Sequence, residues 1–213
     1  MIFQIIIYTT LFMIIDYILT FYNLKGQYYF NHFLVNMTVS ILCFDDLILT
    51  YTDFNNIHNH IIDYNSVSLV FAIHFYHIII YYKKFMYDDW LHHIIMIFFT
   101  LPVALQYDSG SIMGHSIFFI TGLPGGINYL LLFLNRNNLI EKKTQKYINY
   151  HLNLWIRNPG CIASTTLILL YAFNHPKSLF MNFISFLIII ANYWNGIYFM
   201  EQVVRNYNIN YLK

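Results

Sequence analysis

The sequence predicts an all-α integral membrane protein with seven transmembrane helices, and three observations carry that reading. Of 213 residues, 58% are hydrophobic and 10% are charged, against roughly 25% charged in a soluble domain. Too little polar surface exists to coat a globule in water. The apolar residues fall in blocks of mostly about 17 to 23, the length a helix needs to cross about 30 Å of hydrocarbon. Lysine and arginine collect in alternate connectors, as multi-pass topology requires. Backbone polar groups in lipid must bond within their own segment, so the blocks are helices.

In chain order the blocks are Ile2–Tyr22, Phe30–Tyr51, Ser66–Tyr82, Trp90–Leu105, Ile112–Leu134, Gly160–Phe173 and Ser178–Met200. The first lacks the basic flank and small-residue cleavage site of a secretory signal, so it is read as a span. The two short blocks, Trp90–Leu105 and Gly160–Phe173, are decided by charge. One set of connectors holds Lys25, Lys83, Lys84, Arg136, Lys142, Lys143, Lys146, Arg157, Arg205 and Lys213, and the other holds Lys177 alone. A split of ten to one needs all seven blocks to cross. It places the N-terminus on the lumenal or outer side and the C-terminus in the cytosol. The long cytosolic linker, Asn135–Pro159, repeats apolar residues such as Ile148, Leu152 and Trp155 at helical spacing, so part of it is expected along the membrane surface.

Several function classes fall away. The formal net charge is +1, and no basic run exceeds Lys142-Lys143, so nothing suggests nucleic acid. Cys43 and Cys161 sit in apolar blocks without disulfide or zinc spacing and read as small buried hydrophobes. Retinal binding through a Schiff base needs a buried lysine, and the seventh block has none.

Orientation gives each intramembrane polar residue a depth. The third span ends at Lys83, which puts His77 roughly 9 Å inside. His92 and His93 enter the fourth span from the same face at similar depth, and His74 lies one turn from His77 on the same helix face. Asp16, Asn36, Asn128, Asn192 and Asn195 share that half of the bundle, whereas Asp45, Asp46, His115 and Asn182 form a thinner set in the other half. Ionisable groups in lipid face a cavity or the bundle interior, so a polar cavity open to the cytosol is expected. Its centre is Tyr87-Asp88-Asp89-Trp90-Leu91-His92-His93. At i, i+4 spacing Asp88 faces His92 and Asp89 faces His93, and a carboxylate on one ring nitrogen raises the basicity of the other. The competing use of the aspartates is to cap the helix. In Thr121-Gly122-Leu123-Pro124-Gly125-Gly126-Ile127-Asn128-Tyr129, proline and three glycines either open the helix toward the cavity or let a neighbouring helix approach closely.

The run Ala72-Ile73-His74-Phe75-Tyr76-His77, with Tyr82 and Asp88-Asp89-Trp90-Leu91-His92-His93, resembles the TLC-domain family. That family includes ceramide synthases and TRAM-like and lipid-regulatory members. The likeness covers about Phe30 to Met200. It implies an N-terminal helix and connector over 1–29, a six-helix TLC-like barrel over 30–200 and a cytosolic tail over 201–213, in the endoplasmic reticulum. It also implies membrane lipids or acyl chains as partners. If the chain is an enzyme, the resemblance implies acyl transfer of the ceramide-synthase type with acyl-CoA as co-substrate, and no resident cofactor or metal. His92 and His93 would handle the acyl group, Asp88 or Asp89 would orient them, and His74, His77, Asn128, Asn192 and Asn195 would line the substrate path. A non-catalytic lipid binder, regulator or transporter on the same fold is the alternative. The family's acidic Asp-x-Ser-Asp-like motif is replaced here by Thr121–Asn128, so sphingoid N-acylation does not carry over. His74-Phe75-Tyr76-His77 approaches an elongase histidine box, but Ile78 stands in place of its last histidine. Zinc ligation by His74, His77 and His92 or His93 is the remaining use of these rings.

Overall fold

The computed structural model describes residues 1–60, 63–107, 109–175 and 177–211, and these are helical apart from short connectors. Helix α1 (Ile2–Phe21) ends where Asn23 enters the left-handed region at φ +56. Gly26, at φ +81, then starts α2 (Gln27–Leu42). A Cβ is costly in that conformation, and glycine and asparagine bear it best. At Cys43 the chain bends into α3 (Phe44–Thr52). Helix α4 (Tyr64–Tyr81) is capped by Asp63, whose carboxylate accepts the Asn65 N–H at 3.0 Å.

Three of the later helical stretches share a device. Helices α5 (Tyr87–Ile95) and α6 (Leu101–Tyr107) join through a π turn at Met96–Thr100. A second π turn, Phe118–Gly122, joins α7 (Ser111–Ile117) to α8 (Leu123–Arg136). A third, Asn153–Arg157, joins α9 (Lys142–Leu152) to α10 (Asn158–Asn174). Pro102, Pro124 and Pro159 each stand two residues beyond one of these turns. Proline has no N–H to give the carbonyl one turn back, and its ring crowds that carbonyl. A widened turn absorbs both problems and keeps the helix continuous. The stretch around Pro124 therefore bends without opening. Helix α11 (Leu179–Tyr211) closes the chain and carries helix through most of the expected tail.

Among the described residues, six helical stretches are long and apolar enough to cross a membrane: Ile2–Phe21, Gln27–Thr52, Tyr64–Lys84, Asp89–Tyr107, Ser111–Arg136 and Leu179–Ile209. The remaining expected span, Gly160–Phe173, coincides with α10, which at 17 residues is shorter. Large apolar side chains face outward on α1 (Ile2, Phe3, Tyr17, Phe21) and α11 (Leu179, Phe180, Phe183, Trp194). Such patches belong against lipid rather than water.

Packing runs from α4 to α2, from α2 to α8, from α3 to α7, from α7 to α10, from α10 to α11 and from α11 to α6, with α1 set against α4 and α2. Ile97 and Leu101, beyond α5, join Val35, Val70 and Ile73 in one apolar core, which brings the circuit back to α4. A second core of Ile57, Tyr107, Ile112, Ile168, Tyr171 and Ile184 fills one end. There the Lys177 ammonium donates to the Tyr107 carbonyl at 2.7 Å. At the other end the Asn137 amide meets Lys25, accepting its N–H at 3.0 Å and donating to its carbonyl at 2.8 Å. Connectors that alternate in sequence thus meet at opposite ends.

Candidate functional site

Five imidazoles from three helices converge near one end of the bundle. Helix α4 is buried almost without break from Ser66 to Tyr76 and presents His74 and His77 from one face. Helix α5 brings His92 and His93, and α2 brings His32. The His74 ring stacks on His92 at 5.3 Å between centroids and meets His93 edge-on at 5.2 Å. His77 lies 5.3 Å from His93 and 4.4 Å from His32. Aromatic rings close the outside, with Phe85 stacked on His93 at 4.7 Å, Tyr28 on His77 at 4.1 Å and Tyr129 on His32 at 4.1 Å. His74, His77 and His93 are buried, His32 is half-buried, and His92 is the exposed member.

Hydrogen bonding within the cluster is incomplete. Nδ1 of His74 lies 2.6 Å from the Val70 carbonyl. A carbonyl only accepts, so Nδ1 carries the proton and Nε2 is left with a free lone pair. Both ring nitrogens of His32, Nε2 of His77 and Nδ1 of His93 are buried with no partner among the described residues. Each such orphan costs about 1–3 kcal/mol, so native structures contain few of them without a functional reason. One ligand atom from each of His74, His92 and His93 falls within 4.8 Å of the others. A metal ion could be held there.

The sequence reading placed His74, His77, His92 and His93 at one depth, and the structure brings all four together. It missed His32. The same depth argument applied to the second span would have found it, since His32 stands just inside that span at the same end. The carboxylates behave differently from the i, i+4 expectation. Asp89 accepts the Met86 backbone N–H at 2.9 Å and so caps α5, without a hydrogen bond to His93. It remains near enough for its charge to act on His92 and His93. The side chain of Asp88 lies outside the described residues.

The asparagines disperse. Asn128 accepts from the Gln145 amide at 2.9 Å and ties α8 to α9. Asn195 accepts from the Arg157 guanidinium at 3.0 Å, and that cation also lies 4.4 Å from the Phe199 ring. Asn192 donates to the Ile188 carbonyl of its own helix at 3.1 Å, leaving its oxygen without a partner. Arg157 is near enough for its charge to act on His92 and Tyr129. Nε of Arg157 and the side-chain oxygen of Asn158 are also unpartnered.

Among the described residues, the centre is packed with rings. Recesses of about 250 and 270 Å³ lie elsewhere, one between α10 and α11 at Phe173 and Ser185, the other along α9 at Tyr147 and Trp155. The glycines of the fifth span serve close packing. A Cβ at Gly126 would lie 2.7 Å from the Met37 sulfur, and one at Gly125 would lie 2.7 Å from the Asn36 amide. At the opposite end His115 joins Tyr51 and Ser164, each at 2.8 Å, and pins α3, α7 and α10 together.

The chain matches no family model, no curated protein and no solved structure.

Proposed function

We propose that this protein handles lipid acyl groups within the membrane, and that the histidine centre is where the reactive end of the acyl chain is received. The observation that carries the reading is the convergence of five imidazoles at one end of a bundle whose outer surface is apolar. Imidazoles in so apolar a setting are costly unless they are used. His92, the exposed member, marks the edge at which a thioester carbonyl reaches the centre. There an imidazole nitrogen takes the proton of an acceptor amine or hydroxyl as the new acyl bond forms and the coenzyme A thiol leaves. Arg157 and Asn195 supply a cation and an amide for the anionic part of the donor.

The reading includes seven crossings, with α10 as the sixth in order, and the histidine end toward the cytosol, where ten of the eleven Lys and Arg residues fall. It places the chain beside the TLC-domain proteins on the motif His74-x-x-His77 with Asp-Asp-x-x-His92-His93, and in the endoplasmic reticulum by that likeness.

The test is incubation of the full chain in lipid nanodiscs with acyl-CoA of several chain lengths, scored by release of coenzyme A and by intact mass. Turnover or an acyl adduct that disappears in His92→Ala and His93→Ala is the expected result. Silence across all chain lengths would remove the enzymatic reading. The tight ring packing around His77 and His32 favours one alternative, a lipid-binding protein without turnover. Co-purified lipid retained in a His92→Ala/His93→Ala double variant would establish it.

A further inference from the structure

We infer that His74, His92 and His93 form a binding site for a divalent transition metal of the zinc class, with one coordination position left open at the exposed edge beside His92. The inference shares its location with the acyl-transfer reading but stands on the ligand geometry, which needs no acyl substrate.

Four observations lead to it. One nitrogen of each ring falls within 4.8 Å of the others. Zinc–nitrogen bonds of about 2.0–2.1 Å put two ligands on a tetrahedral ion about 3.4 Å apart, so small ring rotations complete the set. Second, the His74 Nδ1–H is anchored to the Val70 carbonyl at 2.6 Å, which fixes the tautomer and aims Nε2 as a donor. A metal-bound histidine almost always gives its other N–H to such an acceptor. Third, among the described residues Nδ1 of His93 is buried and unpartnered, and nearby His77 is left with an unpartnered Nε2. Protons shared among rings about 5 Å apart would set like charges against each other in an apolar surround, whereas one ion takes several lone pairs at once. Fourth, the Asp89 carboxylate, held by its cap to Met86, lies close enough to act on His92 and His93 and offsets part of the charge of a divalent ion.

The donor set argues for the class of metal. Three neutral imidazoles suit zinc, cobalt, nickel, iron or copper and do not suit magnesium or calcium, which take oxygen ligands. Three protein ligands with a fourth position open is the arrangement of reactive rather than purely structural zinc. His92, the exposed ligand, puts that open position at the surface where a lipid carbonyl arrives. The ion would then polarise the carbonyl as a Lewis acid, and His92 would serve as its ligand rather than as a free base.

The experiment uses the full chain in detergent, stripped with a chelator, dialysed and offered Zn(II) or Co(II) alone. Expected are about one tightly held ion per chain, a Co(II) visible spectrum of the intense, low-coordinate kind, and a rise in Tm on adding Zn(II). His74→Ala, His92→Ala and His93→Ala should each lose the ion and the Co(II) band, while His151→Ala, on helix α9 and outside the cluster, keeps both. His92 is exposed, so its alanine variant tests the ligand set even where the buried variants misfold. Wild-type protein that holds no more Zn(II) than the His92→Ala variant, with no Co(II) band, overturns the inference. Metal occupancy without acyl turnover would support the site and remove the acyl reading. Turnover unaffected by metal removal would support the acyl reading and remove the Lewis-acid role of the ion.

Discussion

The rings of His32 and Tyr129 lie parallel, 7° apart in plane and 4.1 Å between centroids, so the contact of α2 with α8 runs directly into the histidine centre. Stacking holds the His32 ring while neither of its nitrogens finds a partner. His32→Phe keeps the stack and removes two buried polar atoms, each costing about 1–3 kcal/mol when unsatisfied. The variant should melt no lower than the parent, by thermal unfolding in detergent, and should keep any ion held by His74, His92 and His93. A clear fall in Tm would mean that the nitrogens are satisfied in the native protein.

Asp16 on α1 accepts hydroxyl hydrogen bonds from both Tyr76 and Tyr81 of α4. Bonds to a charged acceptor contribute about 1.5–3 kcal/mol each. Asp16→Ala should therefore cost about 3 kcal/mol or more, and Tyr81→Phe about half of that, read as denaturant or thermal stability in detergent. Because Tyr76 packs at 5.3 Å from His77, the Asp16 variant should also loosen the histidine centre. Equal stability of the Asp16→Ala variant and the parent would show that α1 is held by apolar packing alone.

Much of this was legible in the sequence because membrane helices announce themselves by composition. Depth along a span then followed from the flanking lysines. That is why the sequence alone assigns His74, His77, His92 and His93 to one level. What periodicity could not supply was partner choice across helices. Asn128 reads as a cavity residue only until Gln145, on a separate helix seventeen residues later, is seen to donate to it. Asp89 could orient His93 or cap α5, and the extended backbone at Met86 turns it to the cap. The glycines at Gly125 and Gly126 allowed either an open helix or a close approach, and the decision rests with Asn36 and Met37 on α2. The π turns before Pro102, Pro124 and Pro159 were hidden for the same reason, since the sequence shows the missing donor and not how the helix absorbs its loss.

Gly160 offers a test of packing in α10. A Cβ there would fall 2.1 Å from the ring of Phe119, a residue of the π turn in the fifth span. A ring wedged between two helices has little room to move, and overpacking of this kind costs about 1–3 kcal/mol. Gly126→Ala meets the flexible Met37 thioether instead, which can swing aside. Gly160→Ala should accordingly lower Tm markedly and Gly126→Ala only slightly. Indistinguishable Tm values for the two would show that α10 can shift away from Phe119.

Topology can be tested through the two ends of the bundle. Cys43 and Cys161 are free and buried, so a membrane-impermeant maleimide should leave the parent chain unlabelled. Lys142→Cys on α9 and Lys177→Cys after α10 provide reporters before and after the shortest candidate span. Helix α10, with 17 residues, is about 25 Å long and suffices to cross only where the bilayer is thin or the flanking polar turns reach into the interface. With seven crossings, sealed vesicles label one reporter and protect the other, Lys142→Cys from the cytosolic side and Lys177→Cys from the opposite side. Labelling of both from a single face would leave the chain with six crossings. It would also reverse the expected side of the C-terminus, because every connector before α10 keeps its place.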